Sequence, residues 1–379
     1  MPLVLNEDQL LLKESARGFL AEKAPVAALR KLRDSRDELG FSRALWKEMA
    51  EMGWAGVLVD EAHGGSDFGF VGAGVIAEEM GRTLAASPFV STSILAATAL
   101  RKFAGEALRD EHLPRIAAGD VVMALAVDEG GKHRPLKTAL RAEKHGNAWR
   151  LSGAKTFVAD GAAADSLIVA ARTAGSAGEA EGLTLFLVNA KAKGVAREKT
   201  VMVDSRNSAR IAFDRVEATG DDVIGEVDGG LEALEGALSA GRAGLAAELS
   251  GSAQEALAMT VDYLKNRKQF GRPIGAFQAL QHRAAALHVE IELTKSAVLK
   301  ALQTLDESFG MAGVVCSLAK AKAGEVAKLA SQEAVQMFGG VGMTDEFDIG
   351  FYMKRIRVAQ ELYGDFAYHA DRIAQMRGY

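Results

Sequence analysis

The sequence predicts an α+β protein in three consecutive parts, and three observations carry that prediction. Apolar residues recur with a helical period from residue 7 to about 119, the texture shifts to short β-rich runs up to about 219, and the helical period then returns to the end. A β-segment inserted between two helical ones argues for an N-terminal helical domain (1–119), a middle antiparallel β domain (120–219) and a C-terminal helical bundle (220–379).

In the first part, Leu10, Leu11, Phe19 and Leu20 mark one helix, and Leu45, Trp46, Met49 and Met52 another. Asn6 and Ser42 stand where N-caps are needed. The glycine-rich HGGSDFGFVGAG, His63 to Gly74, lacks both the phosphate-loop lysine and the G-x-G-x-x-G spacing, so a plain loop is expected. In the second part VVMALAV, AWRLSGAKTFVA, DSLIVAART, LTLFLVNA and ARIAFDRV read as strands separated by Gly, Asn and Asp turns. In the third, stripes run through Leu245, Leu249, Leu257, Val261 and Leu264, then Leu280, Leu287, Ile291, Val298, Leu302 and Leu305, then Val314, Leu318, Val326, Leu329 and Val335. Long helices with apolar stripes imply a bundle.

With 379 residues, 49% apolar and 25% charged, the chain can bury a sizeable core. A formal charge of −5 with both signs interspersed offers no basic face for a phosphate backbone, so nucleic acid is not an expected partner. Cys316 is the only cysteine; in MAGVVCSLAKAK it reads as a buried small hydrophobe, and a single thiol fits a reducing compartment. MPLVLNEDQLLLKES lacks the cationic and apolar blocks of a signal peptide, and no run of about 18 apolar residues occurs. A cytoplasmic protein without membrane attachment is expected. The 7 histidines are scattered, and the closest pair, His282 and His288, would face different sides of a helix, so no metal site is expected.

The stretch NRKQFGRPIGAFQALQHR, Asn266 to Arg283, separates two of the long helices, which should end near Asn266 and resume near Ala276. Arg267 and Gln278 would then flank a glycine- and proline-containing turn. Two readings fit the residues: a helical hairpin whose arginine is solvated, or a guanidinium placed for a phosphate with loop amides as further donors. QMFGGVG, Gln336 to Gly342, could be a helix C-cap, or glycines that let backbone approach a ligand.

Together, RKQFGRPIGAFQ followed by QMFGGVG resembles the acyl-CoA dehydrogenase family, as do EAHGGSDFG, GRTLAASPF and LPRIAAGD in the first part, and the resemblance covers the whole chain. It implies a C-terminal four-helix bundle, a tetramer, and an FAD lying across a subunit interface. It further implies that Arg267, Gln269, Phe270, Gln278, Gln336, Gly339 and Gly340 grip the dinucleotide part of a neighbour's flavin. Arg242 falls where the family binds the CoA thioester. The implied reaction is α,β-desaturation of an acyl-CoA, with an electron-transferring flavoprotein as acceptor.

Several positions depart from the family pattern. The usual glutamate base is Tyr363 in QELYGDF, a poor base with a phenol pKa of about 10; the family's other base position is Gly241. Glu361 and Asp365 are the nearby acids, and Asp365 is preferred as catalytic base, although it also suits the N-cap of the helix that follows. The flavin-ring loop reads VDEGGKHRP, Val127 to Pro135. The aromatic and hydroxyl pair that usually stacks beside the ring appears here as Phe157 and Ala159, so polar ring contacts are lost. Losses thus fall on a subunit's own ring contacts while the clamp lent to a neighbour is kept, which suggests an α2β2 heterotetramer resembling bacterial steroid side-chain dehydrogenases, with a homotetramer as the alternative. A flavin-dependent monooxygenase or oxidase, against which Arg242 argues, and a catalytically silent partner subunit are the competing readings.

Overall fold

The structure, a computed structural model, describes residues 2–379. The helices of the first stretch are α1 (Glu7–Lys23), α2 (Val26–Ser35), α3 (Arg43–Glu51), α4 (Gly69–Thr83), α5 (Ala97–Phe103) and α6 (Glu106–Ala117). Strands β1 (Met123–Ala126), β2 (Arg141–His145), β3 (Ala148–Ala159), β4 (Ser166–Arg172), β5 (Leu183–Asn189), β6 (Val195–Lys199), β7 (Ser208–Thr219) and β8 (Val223–Ile224) follow. The chain closes with α7 (Leu231–Asn266), a hairpin of β9 (Lys268–Gln269) and β10 (Arg272–Pro273), then α8 (Gln278–Glu307), α9 (Gly313–Phe338), α10 (Ile349–Glu361) and α11 (Phe366–Met376). Two compact units result, one from the chain up to Lys31, Gly74–Ala85 and Arg242–Tyr379, the other from Leu32–Ala73 and Ala86–Gly241.

Both expected caps form. Asn6 and Gln9 close a reciprocal capping box on α1, and the Ser42 hydroxyl accepts from the Leu45 amide at α3, each worth about 1 kcal/mol. The glycine-rich stretch differs from expectation in its second half, because α4 begins at Gly69. Its glycines serve packing: a Cβ on Gly72 would strike the Phe68 ring, and one on Gly74 would strike Leu302.

In the unit that holds the sheet, the strands run in the order β6-β7-β3-β2-β4-β5-β8, with β1 joined to β4. Most pairs are antiparallel, as the turn-rich sequence implied, but β1 and β2 both pair with β4 in parallel. β1 is buried along its whole length, the usual condition for a parallel strand. An unexpected π-helix, Phe89–Ala96, lies beside it, and the Thr92 hydroxyl bridges the Met123 amide and carbonyl. Leu151, Leu167, Val169, Phe186, Ile211 and Phe213 are among the sheet's core.

The other unit is organised around α9, against which α8, α10 and α11 all pack. The expected stripe is only partly used: Val326 is buried, but Leu318 is 52% exposed and Leu329 40%. The inner faces of α9 are lined instead by Ala319, Ala323, Ala327, Ala330 and Ala334, with Gly324 among them. Small side chains let several helices approach one axis, so alanine spacing replaces the leucine stripe as the packing signal. The same device joins α4 to α7, where a Cβ on Gly251 would lie 1.8 Å from the Glu78 carbonyl oxygen and one on Gly81 2.0 Å from that of Glu248. The Ser252 hydroxyl donates to the Gly81 carbonyl across this contact. No helix among the described residues is long and apolar enough to cross a membrane.

Gly251→Ala should therefore destabilise the protein by about 1–3 kcal/mol, since backbone must move. Gly18→Ala, on α1 with nothing within 4 Å of the added methyl, should stabilise by about 0.5–1 kcal/mol. Denaturant titrations of the two variants check both signs.

Candidate functional site

Helix α7 stops at Asn266, whose side-chain amide turns back to the Asp262 carbonyl. The chain then reverses in the β9–β10 hairpin through Phe270 (φ +54°) and Gly271 (φ +78°). Two left-handed residues suit the right-handed twist of a tight hairpin. Glycine adopts that backbone freely, whereas phenylalanine costs roughly 1–2 kcal/mol. Phe270 is also 88% exposed, packing edge-on to Phe277. The Ile274 amide donates to the Arg267 carbonyl, which closes the hairpin and puts Arg267 at its base.

The end of α9 meets this hairpin. Tyr263 of α7 stacks on Phe338, ring centroids 4.3 Å apart, with Phe347 edge-on to both. Past Phe338, Gly339 takes φ +69°, and a Cβ on either Gly339 or Gly340 would meet nothing within 4 Å. The result is a groove of about 600 Å³ lined by Arg267, Gln269, Phe270, Gln336, Gly339 and Gly340, with the aromatic stack along one side. Six residues from two separate motifs are thus brought together. Gln278, the exposed first residue of α8, is outside the groove lining. Arg283 lines it and went unnoticed in the sequence; its Nε donates to Glu333 at 2.6 Å, which raises the guanidinium pKa. Its one sequence signal was its place early in α8, within the stretch that carries Arg267.

This groove fits the dinucleotide part of FAD. Its cations and amides suit a diphosphate, the aromatic stack suits a heteroaromatic ring, and the glycines leave backbone uncovered.

In the sheet unit, Phe157 is 48% exposed at φ +50°, within an irregular stretch of β3, and Ala159 is buried. The carboxylates of the 127–135 loop are engaged within the loop and by the segments beside it. The Asp128 carboxylate accepts from the Arg134 amide and pairs with His133, while Glu129 accepts from the Ala139 and Leu140 amides. The fully buried Lys155 donates to Glu129 at 2.7 Å and to the Val127 carbonyl at 2.9 Å, and burial lowers its pKa.

In the α9-centred unit, the turn between α10 and α11 is drawn onto buried cations. Arg242 is 0% exposed; its Nε donates to the Tyr363 carbonyl at 3.3 Å, and another guanidinium nitrogen lies 3.2 Å from the Tyr368 hydroxyl. Lys320 on α9 is 1% exposed and donates to the Gln360 carbonyl at 2.9 Å and the Gly364 carbonyl at 3.0 Å. Burial, then the nearby Arg242 charge, pushes its pKa down to about 7. A third buried cation, Arg355, faces Glu248 at 3.4 Å. The turn itself is strained, with Tyr363 at φ +57° and Gly364 at φ +113°; such backbone costs about 1–3 kcal/mol per non-glycine residue and persists only where its surroundings over-determine it.

Tyr363 is buried. Asp365 follows it as the N-cap of α11, its carboxylate accepting from the Tyr368 amide at 2.9 Å. Glu361 reaches the other way, to Arg357 on the surface of α10 at 2.9 Å. At Gly241 a Cβ would lie 2.5 Å from Leu95, so a side chain there would displace that leucine. Cys316 is buried, as expected, and burial pushes its thiol up to about 12, far from a nucleophile's range.

Comparison with known proteins identifies the family. The acyl-CoA dehydrogenase N-terminal, middle and C-terminal domain families match residues 6–120, 127–216 and 228–377. The chain is 30% identical to the short-chain specific acyl-CoA dehydrogenase of Megasphaera elsdenii, over 86% of this chain and 87% of that one. It is 28% identical to a probable short/branched chain specific acyl-CoA dehydrogenase of Dictyostelium discoideum, over 94% and 86%. Among solved structures, a variant of the steroid ACAD Tcur3481-Tcur3483 superposes with a TM-score of 0.89 at 30% identity, covering 98% of each chain. With three domain families matched in order along nearly its whole length, this chain belongs to the acyl-CoA dehydrogenase family, FAD-dependent oxidoreductases that act on the CH–CH bond of acyl-CoA thioesters.

Proposed function

We propose that this chain is a subunit of an α2β2 acyl-CoA dehydrogenase that introduces an α,β double bond into an acyl-CoA thioester, with Asp365 as the base and the Arg267 groove lent to a companion's cofactor. The observation that carries the reading is the convergence of Arg267, Gln269, Phe270, Gln336, Gly339 and Gly340 on one groove. Support for a mixed assembly comes from the contrast between that intact groove and the 127–135 loop, whose Asp128 and Glu129 carboxylates bond within their own domain. The similarity to Tcur3481-Tcur3483, named as a pair and as a steroid ACAD, agrees with it. Exposed Val289 and Leu293 on α8, and Leu318 and Leu329 on α9, provide apolar surface for association.

FAD supplies, when bound, the two-electron acceptor for the β-hydride, and an electron-transferring flavoprotein would take those electrons onward. The chain's own task is the α-proton. That proton is weakly acidic, so a carboxylate must be held against the carbon and kept from wandering. Asp365 is the better placed of the two nearby acids. Its carboxylate is oriented by the N-cap bond, whereas Glu361 is paired along the α10 surface. Arg242 contributes a buried positive charge beside the same turn.

Two experiments test the reading. Arg267→Ala, in the assembly purified with its companion, should weaken flavin retention by about 10- to 100-fold, the loss of a charge-assisted contact of roughly 1.5–3 kcal/mol; unchanged flavin content would refute the lent groove. Asp365→Asn keeps a good N-cap, so thermal stability should hold while anaerobic flavin reduction by acyl-CoA slows by about 10²–10⁴-fold. A wild-type rate in that variant would leave this subunit a silent partner.

A further inference from the structure

We infer that Lys320, acting with Arg242, is a positioning residue: the buried amine and guanidinium grip the α10–α11 turn by its carbonyl oxygens and thereby fix where the Asp365 carboxylate stands. The inference rests on the Asp365 reading above. It starts from an oddity of α9, where a lysine sits fully buried on a helix against which α8, α10 and α11 pack, among alanines. A buried ammonium is costly unless bound by specific acceptors, and here the acceptors are the Gln360 and Gly364 carbonyls.

Gln360 lies in the last turn of α10, where carbonyls lose their helical partners, and a cation there is further favoured by the helix dipole. Gly364 lies beyond the helix, one residue before Asp365. A single amine thus ties the end of α10 to the start of α11. Arg242 takes the intervening Tyr363 carbonyl from α7, so cations from two helices hold three carbonyls within five residues. Gly364 has no room for adjustment: a Cβ there would fall 2.4 Å from the Tyr368 ring and 2.8 Å from His369. Left-handed backbone at Tyr363 and Gly364 would relax without these anchors. Removing an anchor would displace the carboxylate by rotating the backbone that carries it. The energetic logic is that of a catalytic group held by supporting bonds within a fraction of an ångström of its working position.

The test uses Lys320→Met, which keeps the length and loses the donors, in the intact flavin-loaded assembly. Hydrogen–deuterium exchange at residues 361–366 should speed up at least tenfold while α8 keeps its protection. At saturating acyl-CoA, flavin reduction should slow at least 30-fold, with substrate affinity and flavin content within twofold of wild type. Lys320→Gln, which retains an amide NH2 as donor, should recover part of the rate. A lower melting temperature with an unchanged saturating rate would overturn the positioning role and leave the proposed reaction standing. A wild-type assembly that acyl-CoA cannot reduce would instead overturn the proposed reaction, and the clamp would then be judged on exchange alone. Should neither variant fold, rapid exchange of amides 361–366 in the wild-type chain itself would contradict the clamp, and protection equal to that of the α10 interior would support it.

Discussion

Helices α8, α10 and α11 can all reach α9 because its inner faces carry little more than methyl groups. Close packing of this kind yields dense van der Waals contact but tolerates almost no added volume. Two consequences follow for chemistry. The end of α9 is delivered, as Gln336, Gly339 and Gly340, to the hairpin that carries Arg267. In addition, one lysine emerges from the middle of that helix into a space where only backbone carbonyls can receive it.

Charges buried this deeply are costly, and replacing them with hydrophobic groups is often stabilising. Arg242, Lys320 and Arg355 are therefore better understood as instruments of shape than as sources of stability. Each grips something definite: the Tyr363 carbonyl, the Gln360 and Gly364 carbonyls, and the Glu248 carboxylate. The targets of Arg242 and Lys320 lie together at the end of α10 and in the turn that follows it. The turn, with Tyr363 buried in it, is held by side chains from two helices, so its backbone path is tightly specified.

The two units differ in how they treat polar side chains. In the sheet unit, Asp128 bonds to His133 and the Arg134 amide, and Glu129 to Lys155 and the Ala139 and Leu140 amides, so these carboxylates are already engaged. In the groove, the arginines, glutamine side chains and bare glycines border open volume, with Arg283 steadied by Glu333.

Sequence alone determined the order of helical, β and helical parts, the caps at Asn6 and Ser42, the burial of Cys316 and the family, because periodicity, capping chemistry and the RKQFGRPIGAFQ and QMFGGVG motifs are local patterns. It also marked Tyr363 as an oddity. It did not reveal that α9 packs through alanines while Leu318 and Leu329 face outward, that β1 pairs in parallel, that Phe89–Ala96 is a π-helix, or that Arg283 joins the groove. Nor could it distinguish Lys320 from the rest of the 45 lysines and arginines. Those outcomes depend on which helix face meets which neighbour and which carbonyl lies within reach of which amine, and such distances exist only once remote segments have packed together.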